Sequence, residues 1–295
     1  MHADSEARAA PGRQRPHGAH RVRLSLTLFD PEPPAPPAPS RRVRATVAYL
    51  GSSFSGFAPQ PQQESVRTVG GAITAALQRV LGYPVELAIA GRTDKGVHAR
   101  GQVISFDVRD DTDLVALSRS INKLVAPEIV LRDLSSAAED FHARFSATAR
   151  RYRYRVLNRE TPDPFLAATT WHVAEPLPLD FRAMQAACDP LIGSHDFSSF
   201  CRRPEPDAEL TRRVIDARWE RDGDDVLSFW IEANAFCHQM VRSVVGLLVE
   251  VGRGRRTAAD VGVVLRAVDR AAAPSPAPPQ GLCLWEVRYS DGPTG

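Results

Sequence analysis

The sequence predicts an α+β fold built from two successive halves. Strand-like stretches recur along the chain, at Val43–Leu50, Val103–Val108, Arg151–Leu157, Val226–Ala233 and Leu282–Tyr289, the first three with alternating residues. Segments with helical spacing fall between them in mixed order, as layered α+β halves require. With 295 residues, 43% of them hydrophobic and 24% charged, the chain is long enough for two packed modules of roughly 100 to 130 residues each. The expected boundaries are a tail over 1–40, a first half over 41–148 and a second over 149–292.

Taken in order, the first forty residues are too rich in proline and too poor in apolar periodicity to pack a core, and read as disordered. Within them the alternating stretch Arg21–Leu28 could pair as an accessory strand. The folded part begins with a strand over Val43–Leu50 that ends at Gly51. A helix is expected from about Ser65, whose hydroxyl can cap it, with Val66, Val69, Ile73, Leu77 and Val80 as its apolar stripe and Gly82 as its stop. Val85, Leu87 and Ile89 then alternate as one strand. Ile104, Phe106 and Val108 alternate with Val103, Ser105 and Asp107 as the next. Leu114, Leu117, Ile121 and Leu124 recur at helical spacing, and Val130-Leu131 suggests a strand after them.

The second half repeats this style. A strand over Arg151–Leu157 is followed by a helix near Phe181–Leu191 and by strands over Val214–Trp219 and Val226–Ala233. A helix from about His238 to Val251 buries Val241, Val244, Val245, Leu248 and Val251. A helix over Ala258–Val268, a proline-rich loop over Pro274–Pro279 and a strand over Leu282–Tyr289 complete the chain. This order suits ferredoxin-like or RRM-like halves, although order alone does not fix strand pairing.

The loop between the second and third strands, Ala90-Gly91-Arg92-Thr93-Asp94-Lys95-Gly96-Val97-His98-Ala99, carries one carboxylate between two glycines. Those glycines admit positive φ or close backbone approach. Arg92 and Asp94 lie two apart and project to one side of an extended loop. A guanidinium there would orient the carboxylate as a nucleophile or an electrostatic stabiliser needs. The same spacing also fits an Asp that caps its own turn, with Arg92 as a surface ion pair. Asp94 could otherwise hold a metal in a phosphate-cleaving site, but only His98 offers itself as a second ligand.

A net charge of +2 does not announce a nucleic-acid binder. Between Phe141 and Arg159, however, stand Arg144, Arg150, Arg151, Arg153, Arg155 and Arg159 with no acidic residue, a run that could track phosphates. In Arg151-Tyr152-Arg153-Tyr154-Arg155 the strand period puts both tyrosines on one face and the arginines on the other. Tyr154 reads as core. Tyr152 reads as core or as a stacking platform for an unpaired base. Cys188, Cys201, Cys237 and Cys283 show no ligand-like spacing, so reduced thiols are expected rather than zinc or a disulfide framework. No apolar run reaches membrane-spanning length and the first twenty residues lack an export-type apolar core, so a cytoplasmic location is expected.

The run Ala90–Ala99 followed by Gly101-Gln102-Val103 resembles the signature of the tRNA pseudouridine synthase A family, in which the Asp of Gly-Arg-Thr-Asp is catalytic. Two further stretches resemble the same family in the same order, Asp140–Tyr154 and Ala233–Arg242. The resemblance runs from about Arg41 to about Tyr289. It implies two ferredoxin-like or RRM-like modules whose sheets meet at a central RNA-binding cleft, with Asp94 catalytic and Tyr152, Arg92 and Arg242 binding substrate. It also implies uridine isomerisation in the anticodon arm of tRNA, a homodimer, and no metal or organic cofactor. His238 and Met240 are left as capping or packing residues. The chain departs from the family after its first strand, where Tyr49-Leu50-Gly51 and Gly56-Phe57-Ala58-Pro59-Gln60 replace the usual Tyr-Asp-Gly and Gly-Trp-Gln. Lys95 stands where a small residue is common, to meet phosphate or solvent. The reading from another class is a noncatalytic tRNA-binding or chaperone protein of RRM-like halves.

Overall fold

Val43, Ala45 and Val47 are buried on one side of a strand, β1, that spans Ser40–Tyr49, as their alternation predicts. The computed structural model describes residues 39–58, 66–174, 178–203, 208–223, 225–290 and 292–293. Ser65 and the stretch Arg21–Leu28 lie outside the described residues. The first helix, α1 (Val69–Leu81), starts later than the spacing suggests, because the capping oxygen belongs to Thr68, which accepts from the Gly71 N–H. Val66 precedes the helix. Val69, Ile73 and Leu77 are buried while Val80 turns outward. Gly82 closes α1 at φ 79°, the left-handed geometry that glycine adopts without a Cβ penalty.

The next strand, β2, is only Ala88–Ile89, and it pairs antiparallel with the long β3 (His98–Arg109). Helix α2 (Leu114–Val125) is capped by Asp113, whose carboxylate accepts from the N–H groups of Val115 and Ala116. Leu117 and Ile121 are buried, but Leu124 is exposed. Strand β4 (Ile129–Ser136) ends the first half.

Strand β5 (Ala147–Leu157) opens the second half, and β6 (Trp171–His172) pairs with it in parallel. The helix expected over Phe181–Leu191 breaks in two. Only α3 (Phe181–Ala186) is α-helical, and a single 3-10 turn covers Asp189–Leu191, because Pro190 has no N–H to continue the helix. Strands β7 (Gly193–Asp196), β8 (Thr211–Gly223) and β9 (Val226–Ala233) follow, then α4 (Met240–Gly252), α5 (Ala258–Ala267), β10 (Leu282–Tyr289) and the short β11 (Gly292–Pro293). Helix α4 begins two residues after His238, which stands on the loop before it. Val241, Val244, Val245, Leu248 and Val251 are buried as their spacing predicts, and Met240 is fully buried with them.

The halves do not keep separate sheets. One sheet runs β4-β1-β3-β10-β5-β9-β8-β7. The last long strand of the chain joins the halves: β10 pairs in parallel with β3, at Cys283 with His98 and Leu284 with Ala99, and antiparallel with β5 along its length. The loop that leads into β3 therefore lies beside the second half.

Along β5 the alternation divides two environments. Tyr152, Tyr154 and Val156 enter the core. On the other face Arg151 and Arg153 stack over Trp230, and Arg153 and Arg100 stack over Trp285. The arginine run is thus divided among separate tasks instead of forming one stripe. Arg155 faces Asp222, Arg159 pairs with Asp163, and Arg150 turns inward.

A disulfide joins Cys201 and Cys237, with their Cα atoms 5.8 Å apart. This corrects the expectation of four free thiols. Their separation of 36 residues carries no spacing signal, and only the tertiary fold brings them together. Burial pushes the free thiols up, to about 12 for Cys188 and about 11 for Cys283. Among the described residues no helix is long and apolar enough to cross a membrane.

Candidate active site

The loop between β2 and β3 is held almost residue by residue. Gln102, wholly buried on β3, accepts from the Gly91 N–H at 3.3 Å and donates to the Gly91 carbonyl at 2.6 Å. Arg150 donates to the Ala90 carbonyl at 3.1 Å, and also to the carbonyls of Arg144 and Asn234. Desolvation lowers the Arg150 pKa from its ordinary value. The Thr93 hydroxyl meets the Tyr49 hydroxyl at 2.8 Å, and the Thr93 carbonyl accepts from Phe57 N–H at 3.1 Å. The Val97 N–H closes the turn onto the Asp94 carbonyl. Backbone groups tied at both ends and in the middle hold the loop, and the Asp94 side chain is left part-exposed between the exposed Arg92 and Lys95.

The altered segment after β1 packs behind this loop. A Cβ at Gly51 would stand 2.0 Å from the Val97 carbonyl oxygen, so only glycine fits there. Gly56, at φ 96°, lies against the Thr93 carbonyl. Phe57 is buried, with its ring 6.0 Å from that of Tyr49. In place of the family's Trp it acts as packing. Leu50, in place of the family's Asp, is exposed.

Asp94 keeps 29% of its side chain exposed and is approached from the second half. Arg242, on the first turn of α4, brings Nη1 to 3.3 Å from Asp94 Oδ2. Its own Nε donates to the Ala277 carbonyl at 2.7 Å, and its backbone carbonyl accepts from the Ala277 N–H. The proline-rich loop thus aims the guanidinium. Tyr154 secures that loop by donating its hydroxyl to the Pro278 carbonyl at 2.7 Å. His238 brings Nε2 to 3.4 Å from the other carboxylate oxygen, Oδ1.

Tyr152 is buried, with its ring 4.9 Å from Phe236 in an edge-on arrangement. A Cβ on Gly91 would lie 3.8 Å from its hydroxyl. Burial raises the Tyr152 pKa, Arg150 opposes the shift and the charge of Asp94 adds to it. Arg92 is exposed and makes no ion pair with Asp94. With Thr93 buried between them, Arg92 and Asp94 both face out, as their spacing predicts. Lys95 is exposed.

Asp94, Tyr152 and Arg242 therefore gather within one region, while Arg92 is exposed two residues before Asp94 on the same loop. The approach of His238 to Asp94 is not expected from its place before α4, where a histidine ordinarily caps or packs. The clamps Gln102, Arg150 and Tyr49 stand in segments compared with the family above, but spacing alone does not show that each reaches the Asp94 loop from elsewhere in the chain. His98 is no metal partner for Asp94: Nδ1 accepts from the Gly51 N–H at 3.0 Å and Nε2 donates to the Gln280 carbonyl at 3.0 Å. Among the described residues no group of three His, Cys, Asp or Glu gathers to hold a metal.

The arrangement is a carboxylate on a fixed loop, gripped at one oxygen by a guanidinium, next to a buried aromatic pair. It can attack or stabilise a bound group without first having to be ordered.

The family model described as tRNA pseudouridine synthase matches residues 45–146 and 187–290. The chain is 41% identical over 252 residues to tRNA pseudouridine synthase A of Myxococcus xanthus, covering 85% of this chain and 93% of that protein. It is 41% identical to the Brevibacillus brevis protein of the same name over 84% of this chain and all of that one, and 42% identical to that of a Caulobacter species over 84% and 98%. The chain belongs to the tRNA pseudouridine synthase family, whose fold and uridine-isomerising activity it shares.

Proposed function

We propose that this chain isomerises uridine to pseudouridine in the anticodon arm of tRNA, at positions 38, 39 and 40, with Asp94 as the nucleophile. In the net reaction the N1–C1′ bond breaks and a C5–C1′ bond forms. C5 gives up its proton and N1 gains one, so no redox step, energy source or cofactor is needed. A base in a stem cannot react while stacked, and extruding it costs a few kcal/mol.

The observation that carries the reading is the meeting of Asp94 and Arg242 across the two halves at 3.3 Å, with the carboxylate part-exposed. In this reading Arg242 fixes the carboxylate and Tyr152 packs on the flipped base. Arg92 meets phosphate or fills the vacated stack. The enzyme works in the cytoplasm as a homodimer that places one tRNA across two subunits.

Tritium release from tRNA transcripts labelled at uridine C5 tests this. Wild type should release label and Asp94→Ala should release none while still binding tRNA. Replacing the uridines at the three positions should abolish release. Full activity in Asp94→Ala would overturn the nucleophile. No release from wild type that binds tRNA would favour the noncatalytic reading.

A further inference from the structure

Asp94 Oδ2 faces Arg242 at 3.3 Å, and Oδ1 faces His238 Nε2 at 3.4 Å. The loop that carries His238 is fixed on both sides. Its backbone carbonyl accepts from the Arg202 N–H at 3.0 Å, and the neighbouring residues Cys201 and Cys237 are joined by a disulfide. Two adjacent linkages therefore bind residues 201–202 to residues 237–238. On the other side Gln239 turns the chain at φ 67° into α4, whose first residue donates its N–H to the Cys237 carbonyl. Phe236, just before the disulfide, packs against Tyr152. Residues 236–238 thus bring an aromatic wall, a covalent anchor and an imidazole to one side of Asp94.

This is more fixation than a surface histidine requires. The His238 side chain is 43% exposed and adds little to the core. What it reaches is the one carboxylate oxygen that Arg242 leaves free. A carboxylate held at one oxygen can still rotate about its Cβ–Cγ bond, whereas a second donor at the other oxygen sets the plane of the group. A contact of 3.4 Å is long for a hydrogen bond, and such contacts in unliganded sites commonly tighten once substrate excludes water.

We infer that His238 is a positioning residue for the isomerisation, holding Asp94 Oδ1 while Arg242 holds Oδ2, so that the carboxylate meets the flipped nucleoside in a fixed plane. This rests on Asp94 as the nucleophile. The contribution belongs to the reacting geometry and not to tRNA affinity, because the partner of His238 is the carboxylate rather than the RNA.

Steady-state tritium release with C5-labelled tRNA, measured for wild type, His238→Ala, His238→Gln and Asp94→Ala, separates the cases. The expected result is a fall in kcat of about tenfold to a hundredfold for His238→Ala, the range that a misplaced catalytic group produces, with KM within about twofold. His238→Gln keeps an N–H donor and should recover a substantial part of the loss. Unchanged kcat in His238→Ala, a loss confined to KM, or equal losses in the two variants would each overturn the proposal. An active Asp94→Ala would instead overturn the nucleophile on which it rests.

Discussion

Arg242 makes two kinds of contact that a lysine could not make together. Its Nε reaches the Ala277 carbonyl and its Nη1 reaches Asp94, so the planar fork fixes its own angle while it grips the carboxylate. A lysine keeps the charge but offers one ammonium on a flexible stem, and it must choose between the two acceptors. Arg242→Lys should therefore lower kcat for tritium release by about a hundredfold, the scale of losing one preorganised electrostatic donor, and leave the melting temperature near that of wild type. A variant that kept wild-type kcat would show that charge alone suffices. At this scale the sequence is legible where residues are neighbours in the chain. Gly91, Asp94 and Gly96 announce a tight acid-bearing loop, and Arg242 is found through the Ala233–Arg242 motif. The second oxygen's partner is not legible. His238 meets Asp94 from the loop where Gln239, at φ 67°, bends the chain before α4.

Elements start and stop where short-range chemistry says, and the misreadings have local causes. Strand β9, the last long strand, β10, and helix α2 match their expected bounds, although β9 is buried on both faces. The start of α1 shifts to the hydroxyl of Thr68, and Pro190 cuts the helix after α3 short. Burial is harder to read, since Val80 and Leu124 sit at the ends of apolar stripes and stay 36% and 44% exposed among the described residues. The junction between the Asp94 loop and β3 illustrates a cost that only the fold reveals. His98 is buried there with both nitrogens in hydrogen bonds, Nδ1 accepting from Gly51 N–H, and burial lowers its pKa below the ordinary histidine value. The unfolded chain then binds the proton more readily than the folded one, so stability is full above about pH 6.5 and falls as pH drops below it. Urea midpoints taken between about pH 7.5 and about pH 5 should decline for wild type and decline less steeply for His98→Gln. Equal slopes would mean that His98 protonates as easily in the folded chain as in the unfolded one.

At the scale of the whole molecule the site depends on a connection that comes last in the chain. Asp94 belongs to the first half, while Tyr152, His238 and Arg242 belong to the second. The strand that brings the halves side by side is β10, paired with β3 on one edge and β5 on the other. The order of strands in the sequence predicts two modules, but it does not show that the final strand enters between them. Strand pairing across such distances depends on which edges are free, and no window of sequence records that. The proline-rich loop before β10 adds a second bond between the halves, since it holds Arg242 through Ala277 while Pro279 lies against Gly96. If the halves are one cooperative unit, removing core from β10 must weaken both. Leu284 is fully buried on that strand, and Leu284→Ala should cost about 2–5 kcal/mol. Far-ultraviolet circular dichroism, tryptophan fluorescence and residual tritium-release activity should then report one coincident melting transition, shifted downward as a unit. The described tryptophans, Trp171, Trp219, Trp230 and Trp285, lie on β6, β8, β9 and β10, so fluorescence reports the second half and its junction while dichroism reports both. A dichroism transition that splits in two, with fluorescence following only one step, would mean that the halves fold separately and that β10 merely docks them. In that case activity should disappear at the undocking step, before either half unfolds, because Asp94 and Arg242 would already have parted.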